Sequence, residues 1–307
     1  MGSTSHSPQR AGLQSARATN RQTSRLGSWE LLRCVGEGQL ARVFAARPAG
    51  GQVGQPASYA IKVLRPEWQE DPRGLAILAR EVHVSRKVSS PHLLPILAAQ
   101  LNTAPYYAAM PLLEGSTLQT RLQSPTRIDL PVVAWIGRQV AEALDALQRA
   151  GWTHSDVKPS NVFISRTGHV TLIDLGFACG VDERGTIADR PVVGTMQYMA
   201  PEVLYSSTGG GIHSDVYSLG VTLFEMLTGR LPFDANDIAE LATRHRQDLP
   251  SAVRRLAPHV PTRAARLIHQ MLAKEPLRRP IPSDVVRRLA ALEVETFAER
   301  SLPTDAA

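Results

Sequence analysis

One stretch constrains this chain more than any other: His154-Ser155-Asp156-Val157-Lys158-Pro159-Ser160-Asn161, followed thirteen residues after Asn161 by Asp174-Leu175-Gly176. Phosphoryl transfer needs an acceptor for the proton of an attacking hydroxyl and a cation near the moving phosphoryl group. It also needs carboxylate or amide oxygens for a hard metal ion. Asp156, Lys158, and the pair Asn161 and Asp174 supply that set. Taken singly, each is ordinarily a solvated polar residue. Their spacing, continued by Ala200-Pro201-Glu202, is improbable as an accident of composition.

Two weaker signals lie upstream. In Gly36-Glu37-Gly38-Gln39-Leu40-Ala41-Arg42-Val43, between two strand-like runs, the glycines let a turn bring bare backbone N–H groups to phosphate oxygens. Alone, two glycines in a turn are as often a plain hairpin, and a Rossmann reading is disfavoured because no helix follows. Lys62 ends the apolar run Tyr59-Ala60-Ile61-Lys62, where a lysine is ordinarily a solvated strand end. Glu81, in the first predicted helix, would ordinarily face water. Together they make sense as an ion pair that aims Lys62 at phosphates.

Carrying these motifs, the chain resembles the protein-kinase superfamily, and within it the bacterial Ser/Thr kinases of the eukaryotic type, over about residues 29–297. The resemblance implies a bilobal α+β fold: a small β-rich lobe with one regulatory helix, then a larger, mainly helical lobe. It implies that Lys62 binds phosphates, Glu81 orients Lys62, Asp156 is the catalytic base with Lys158 beside it, and Asn161 and Asp174 hold Mg2+ or Mn2+. ATP is expected against Gly36, Glu37, Gly38, Val43, Ala60 and the hinge Met110-Pro111-Leu112-Leu113, with Met110 at the gatekeeper position. Pro111 lacks an N–H, but its position supplies only a carbonyl to adenine; Leu113 supplies a carbonyl and an N–H. Lys158 and Thr195 look like the Ser/Thr class. Glu202 is expected to pair with Arg279, and Asp215 to tie the catalytic-loop backbone.

The function so implied is Ser/Thr protein phosphorylation from Mg-ATP, in bacterial signalling and with autophosphorylation, the partners being protein substrates with Ser or Thr acceptors. Two alternatives stand beside it. A pseudokinase scaffold is discouraged by the presence of Lys62, Glu81, Asp156, Asn161 and Asp174. A small-molecule phosphotransferase is discouraged by Lys158 and the segment from Thr195 to Glu202.

Three departures from the family pattern matter. Ala41 replaces the third glycine, a small change. Leu175 replaces the usual Phe and keeps an apolar plug behind Asp174. Ser155 replaces the Arg that in related kinases helps clamp a phosphorylated loop, which should alter regulation more than chemistry. Between Asp174 and Glu202 the hydroxyls are Thr186, Thr195 and Tyr198. The family uses Thr195 and Tyr198 beside the substrate platform, which leaves Thr186 as the acceptor. The loop is therefore expected to be competent without phosphate.

Around the motifs, residues 29–35, 42–46 and 58–64 read as strands, 48–56 as a Gly/Pro/Gln loop, 72–88 as a helix, and 96–101 and 106–113 as strands. After Gly115 the pattern is mainly helical. Residues 131–150 carry Val132, Ile136, Val140, Ala143 and Leu147 at helical spacing, and helices follow at 214–228, 237–246, 262–273 and 283–297. The expected divisions are a disordered basic Ser/Thr-rich tail (1–27), the small lobe and hinge (28–113), the large lobe (114–298) and a flexible C-terminal tail (299–307).

The formal net charge of +6 does not argue for nucleic acid, because Arg10, Arg17, Arg21 and Arg25 lie in a segment without an acid; without them the balance is +2. Such tails are usually solvated. The longest apolar run, 216–227, is interrupted by Tyr217, Ser218, Gly220, Thr222 and Glu225. No run approaches the roughly 18–20 residues of a membrane span. The N-terminus has no secretory core, and His6 stands where a myristoylation signal wants Ser or Thr. Cys34 and Cys179 form no metal set and fit a reducing compartment, so a cytoplasmic location is expected. Only four of the basic residues are Lys and Ala is abundant, which suggests a GC-rich bacterial genome.

Overall fold

The computed structural model describes residues 24–51, 54–123, 127–181, 183, 196–205, 210–235 and 237–297. Its first part is an antiparallel sheet built from β1 (Ser24–Leu26), β2 (Trp29–Glu37), β3 (Ala41–Pro48), β4 (Tyr59–Leu64), β5 (Ala98–Gln100) and β6 (Tyr107–Pro111), in the order β1-β2-β3-β4-β6-β5. Helices α1 (Pro66–Gln69) and α2 (Pro72–Lys87) connect β4 to β5.

Side chains alternate across a strand, so β4 divides its residues between two small cores. Ala60 and Leu64 join Leu78 and Val82 of α2 and Met110 of β6 on one face. Ile61 and Val63 face the other way, against Ala109, Trp29 and Tyr107. Lys62 shares the parity of Ala60 and Leu64 and so lies on the α2 side. Helix α2 starts at Asp71, whose carboxylate accepts the N–H of Arg73, and Pro72 follows at the first turn, where its missing N–H costs nothing. Leu78, Glu81 and Val82 sit three and four residues apart and share the buried face. Glu81 therefore points inward.

The tail expected to reach residue 27 ends earlier: Ser24–Leu26 pairs with residues 29–31 across Gly27, whose φ is 55°. Leu26 packs on the outer cluster with Trp29 and Leu31. A strand of three residues shows no alternation, which is why the sequence pattern missed it. The remaining tail, 1–23, and residues 298–307 lie outside the described residues.

The second part contains β7 (Gly115–Thr117), α3 (Leu118–Leu122), α4 (Leu130–Arg149), β8 (Trp152–Thr153), β9 (Val162–Ser165), β10 (Val170–Leu172), β11 (Cys179–Gly180), α5 (Pro201–Tyr205), α6 (Ile212–Thr228), α7 (Ile238–Gln247), α8 (Val253–Leu256), α9 (Thr262–Met271) and α10 (Pro282–Glu295). The two lobes make the α+β fold expected from the motifs. The short strands β7 to β11 were not foreseen, for the same reason as β1.

Helix α6 is buried continuously from Ser214 to Phe224. Its polar interruptions are tolerated because Ser218, Thr222 and Thr228 return their hydroxyls to carbonyls four residues back, at 3.1, 3.0 and 2.8 Å. Among the described residues no helix is long and apolar enough to cross a membrane. Where the chain passes from the first lobe to the second, Gly115 has φ 146°, and a Cβ there would lie 2.1 Å from the Ile164 carbonyl oxygen. Only glycine fits that crossing.

Candidate active site

Between the lobes lies a cleft of about 470 Å3. All fourteen residues singled out from the sequence for chemistry or nucleotide binding line it, from Gly36 above to Asp174 behind.

The upper wall is held by charge. Lys62 Nζ donates to Glu81 Oε2 at 2.7 Å and to Asp174 Oδ1 at 3.0 Å, linking β4, α2 and the loop after β10. Burial works against the ammonium, but Asp174 and Glu81 outweigh it and hold its pKa above the usual lysine value. Burial likewise opposes ionisation of Asp174, and Lys62 reverses that, so its pKa is depressed. Lys62 and Asp174 are thus charged at neutral pH. Asp174 has φ 69°, and Gly176 donates its N–H to Asp174 Oδ1 at 3.4 Å. A Cβ on Gly176 would lie 2.6 Å from Ile77 Cγ2, so glycine here lets α2 close against this loop.

The lower wall is held by backbone. Buried Asp215, on α6, accepts the N–H of His154 at 2.7 Å and of Ser155 at 2.8 Å. Ser155 has φ 63°, an uncommon conformation for a non-glycine residue, and the hydrogen bonds that its own and His154's N–H groups give to Asp215 fix it. Burial pushes the Asp215 carboxyl up to about 7, despite the two N–H donors that favour its charged form. Burial also lowers His154 to about 4, so its ring is neutral. The loop then presents Asp156, whose Oδ2 receives Lys158 Nζ at 2.9 Å and Asn161 Nδ2 at 2.8 Å. Burial raises Asp156 to about 6, and Lys158 restrains the rise. Asn161 also donates to the Asp156 carbonyl at 2.8 Å, which fixes which end of its amide is nitrogen.

What remains for a cation is Asn161 Oδ1 and Asp174 Oδ2, hard oxygen donors on neighbouring loops. Among the described residues no group of three or more His, Cys, Asp or Glu could hold a metal. A divalent ion here would complete its shell from phosphate and water, as magnesium prefers. The residues present fit that ion.

At the hinge, Met110 pairs with Ala60 across the sheet, and Leu112 turns its N–H to the Ser58 carbonyl at 3.1 Å. Further off, Arg279 meets Glu202 with both terminal nitrogens, at 2.5 and 2.8 Å, and Ser214 donates to the same carboxylate at 2.6 Å. Burial opposes the Glu202 charge and Arg279 overrides it, leaving its pKa lowered. The expected Glu202–Arg279 and Asp215 ties are both present. Tyr198 donates to Glu225 at 2.6 Å; Thr186 and Thr195 lie outside the described residues.

Sequence reasoning missed part of the lining, notably Val35, Phe163 and Ile173. Phe163 and Ile173 stand beside Asn161 and Asp174, so proximity to those motifs was the available signal. It also missed Arg80, whose guanidinium meets the carboxylate of Glu183.

A profile of the protein kinase domain matches residues 29–289. The serine/threonine-protein kinase PrkC of Bacillus subtilis is 28% identical over 256 residues, 82% of this chain and 38% of its own length. PknD of Mycobacterium tuberculosis is 29% identical over 259 residues, 83% and 38%. PknE of Mycobacterium bovis is 30% identical over 261 residues, 84% and 45%. The chain spans less than half the length of these relatives.

Proposed function

The chain belongs to the protein kinase domain family, and from that premise we propose that it transfers the γ-phosphoryl group of ATP to Ser and Thr hydroxyls of proteins. The family uses ATP and a divalent metal; magnesium is the ion proposed here. The observation that carries the reading is the meeting of Lys62, Glu81, Asp156, Lys158, Asn161 and Asp174 in one cleft.

In this reading Gly36 and Gly38 approach the phosphates with backbone N–H groups, and Lys62, aimed by Glu81, holds them. The Pro111 carbonyl and Leu113 address adenine, since the Leu112 N–H is already given to Ser58. Asp174 and Asn161 would hold Mg2+, which supplies charge neutralisation at the phosphates. Asp156 orients the acceptor hydroxyl and takes its proton; a carboxyl near 6 is ionised at neutral pH yet more basic than an ordinary aspartate. Lys158, 2.9 Å from that carboxylate, places a positive charge beside the transferring group. The two cysteines are unpaired, one exposed and one buried, which suits the reducing cytoplasm.

The test is radiolabel transfer from γ-labelled Mg-ATP, to the protein itself and to a generic acceptor such as casein, by wild type and Asp156→Asn. Transfer by the wild type that the substitution removes supports the assignment. A wild type that binds nucleotide and transfers nothing would make it a pseudokinase. Undiminished transfer by Asp156→Asn would remove Asp156 from its role.

A further inference from the structure

Resting on that reading, we infer that Arg80 and Glu183 are positioning residues: a built-in carboxylate latch that holds α2, and with it Glu81, in the arrangement Lys62 requires. Arg80 immediately precedes Glu81, so while Glu81 turns into the cleft, Arg80 turns about 100° away around the helix. There it meets two groups of the large lobe. Its Nη1 donates to Glu183 Oε2. Its guanidinium lies 5.7 Å from the ring of Trp152. One turn along α2, His83 packs edge-on against the same ring, with centroids 5.7 Å apart.

The receiving surface is itself fixed. Trp152 and Thr153 of β8 pair with Gly180 and Cys179 of β11. The Glu183 N–H returns to the Gly180 carbonyl at 3.0 Å, its Oε2 accepts the Gly180 N–H at 3.3 Å, and Val181 donates to the Gly151 carbonyl at 2.9 Å. This two-stranded ribbon continues directly into both chemical loops: β8 runs into His154-Ser155-Asp156, and Asp174-Leu175-Gly176 runs into β11. A pull on Glu183 is therefore registered against the loops carrying Asp156 and Asp174, and Arg80 transmits it to the helix carrying Glu81.

The side chain at position 155 does not compete for this role. Ser155 Oγ lies 2.9 Å from Thr153 Oγ1, which also donates to the Cys179 carbonyl at 3.2 Å. The hydroxyl pair braces the ribbon and brings no cation to it. The charge contact between α2 and this segment is made with a carboxylate that the gene encodes.

The experiment compares wild type, Glu183→Gln, Arg80→Gln and the charge-exchanged double variant R80E/E183R, all phosphatase-treated, for steady-state transfer to casein and for thermal melting. Each single variant should lose about fivefold in kcat, the upper end for a part-exposed ion pair, with the KM for casein and the melting temperature unchanged. The double variant should recover at least half of the wild-type kcat, which assigns the loss to the pairing of the two charges, whereas a merely structural role would lower the melting temperature of the single variants. Single variants within a factor of about two of wild type, or a double variant no better than the singles, would overturn the latch. An inactive wild type would instead count against the kinase reading, so the two failures are distinct.

Discussion

Below the cleft, Asp156 rides on a loop whose strained turn at Ser155 is tied by two backbone N–H bonds to a carboxylate in the first turn of the buried helix α6. Above it, Lys62 is aimed through side chains, and its partner Glu81 sits on α2 between Leu78 and Val82, which pack in the smaller core, with Val84 of the same helix reaching the larger one. The lower wall inherits the rigidity of the large core. The upper wall has to be aligned. One site thus joins a preset half, where the proposed base Asp156 sits, to an adjustable half, where the proposed phosphate-binding Lys62 sits.

The sharpest test of the preset half is Asp156→Asn. It keeps shape and burial but removes the proposed proton acceptor, and should lower kcat by about 10²–10⁴-fold, measured by peptide phosphorylation under saturating Mg-ATP. Circular dichroism and melting should be unchanged. A loss below tenfold would mean that the lower wall positions rather than reacts.

Asp215→Asn attacks the same wall from behind. An amide can accept from only one of the two N–H groups and presents its own NH2 to the other, a cost of about 1–3 kcal/mol for the donor left unpaired. For a chain of this size that lowers Tm by about 2–12 °C. The turn at Ser155 relaxes with it, and kcat should fall by about 10²-fold. A full loss of activity with unaltered Tm would contradict the backbone-tie account.

The walls also differ in titration. Lys62 is raised and Asp174 lowered, so both stay charged through the neutral range. Asp156, near 6, does not. Because the base must be unprotonated, kcat/KM should fall as pH drops through about 6, reaching about a tenth of its plateau at pH 5. The fold moves the other way. Asp156 and Asp215 have folded pKa values above those of an unfolded carboxyl, so the folded state takes up their protons preferentially, and their contribution to stability rises as pH falls from 7 toward 4. Activity lost with no fall in Tm between pH 7 and 5 is the expected signature. A coincident fall in both would assign the acid limb to unfolding.

These contrasts were unevenly legible in the sequence. That Lys62, Asp156, Asn161 and Asp174 line one cleft was readable, because their motifs mark the strand β4 and the two loops that bound it. Helices α2, α4 and α6 were readable because their apolar residues recur at helical spacing. The strands β7 to β11 were not: two to four residues cannot show a period. Arg80 and Glu183 were invisible for a different reason. They lie 103 positions apart, and a charge on a helix reads as solvent-facing until the fold shows what stands opposite it. Glu81 would have been misread the same way without Lys62 to pair it with.

The smallest predicted effect concerns how the adjustable half is kept aligned. Kinases that carry an Arg before the catalytic Asp can align it through a phosphorylated loop, pairing the cation with a group of about −2 charge. Here that position is Ser155, engaged with Thr153, and the α2 cation Arg80 already faces Glu183. Phosphate on Thr186 would find Arg184 and Arg190 in the same stretch of sequence; all three lie outside the described residues. Solvent-exposed ion pairs contribute about 0–1 kcal/mol. Thr186→Ala should therefore retain at least about a third of the wild-type kcat/KM, a loss of roughly 0.6 kcal/mol or less. Steady-state kinetics with both enzymes dephosphorylated beforehand decide the matter. A tenfold or greater fall, reproduced by dephosphorylating the wild type and reversed by phosphate on Thr186, would show that the upper wall waits for a covalent signal. It would also show that the Glu183 carboxylate does not suffice.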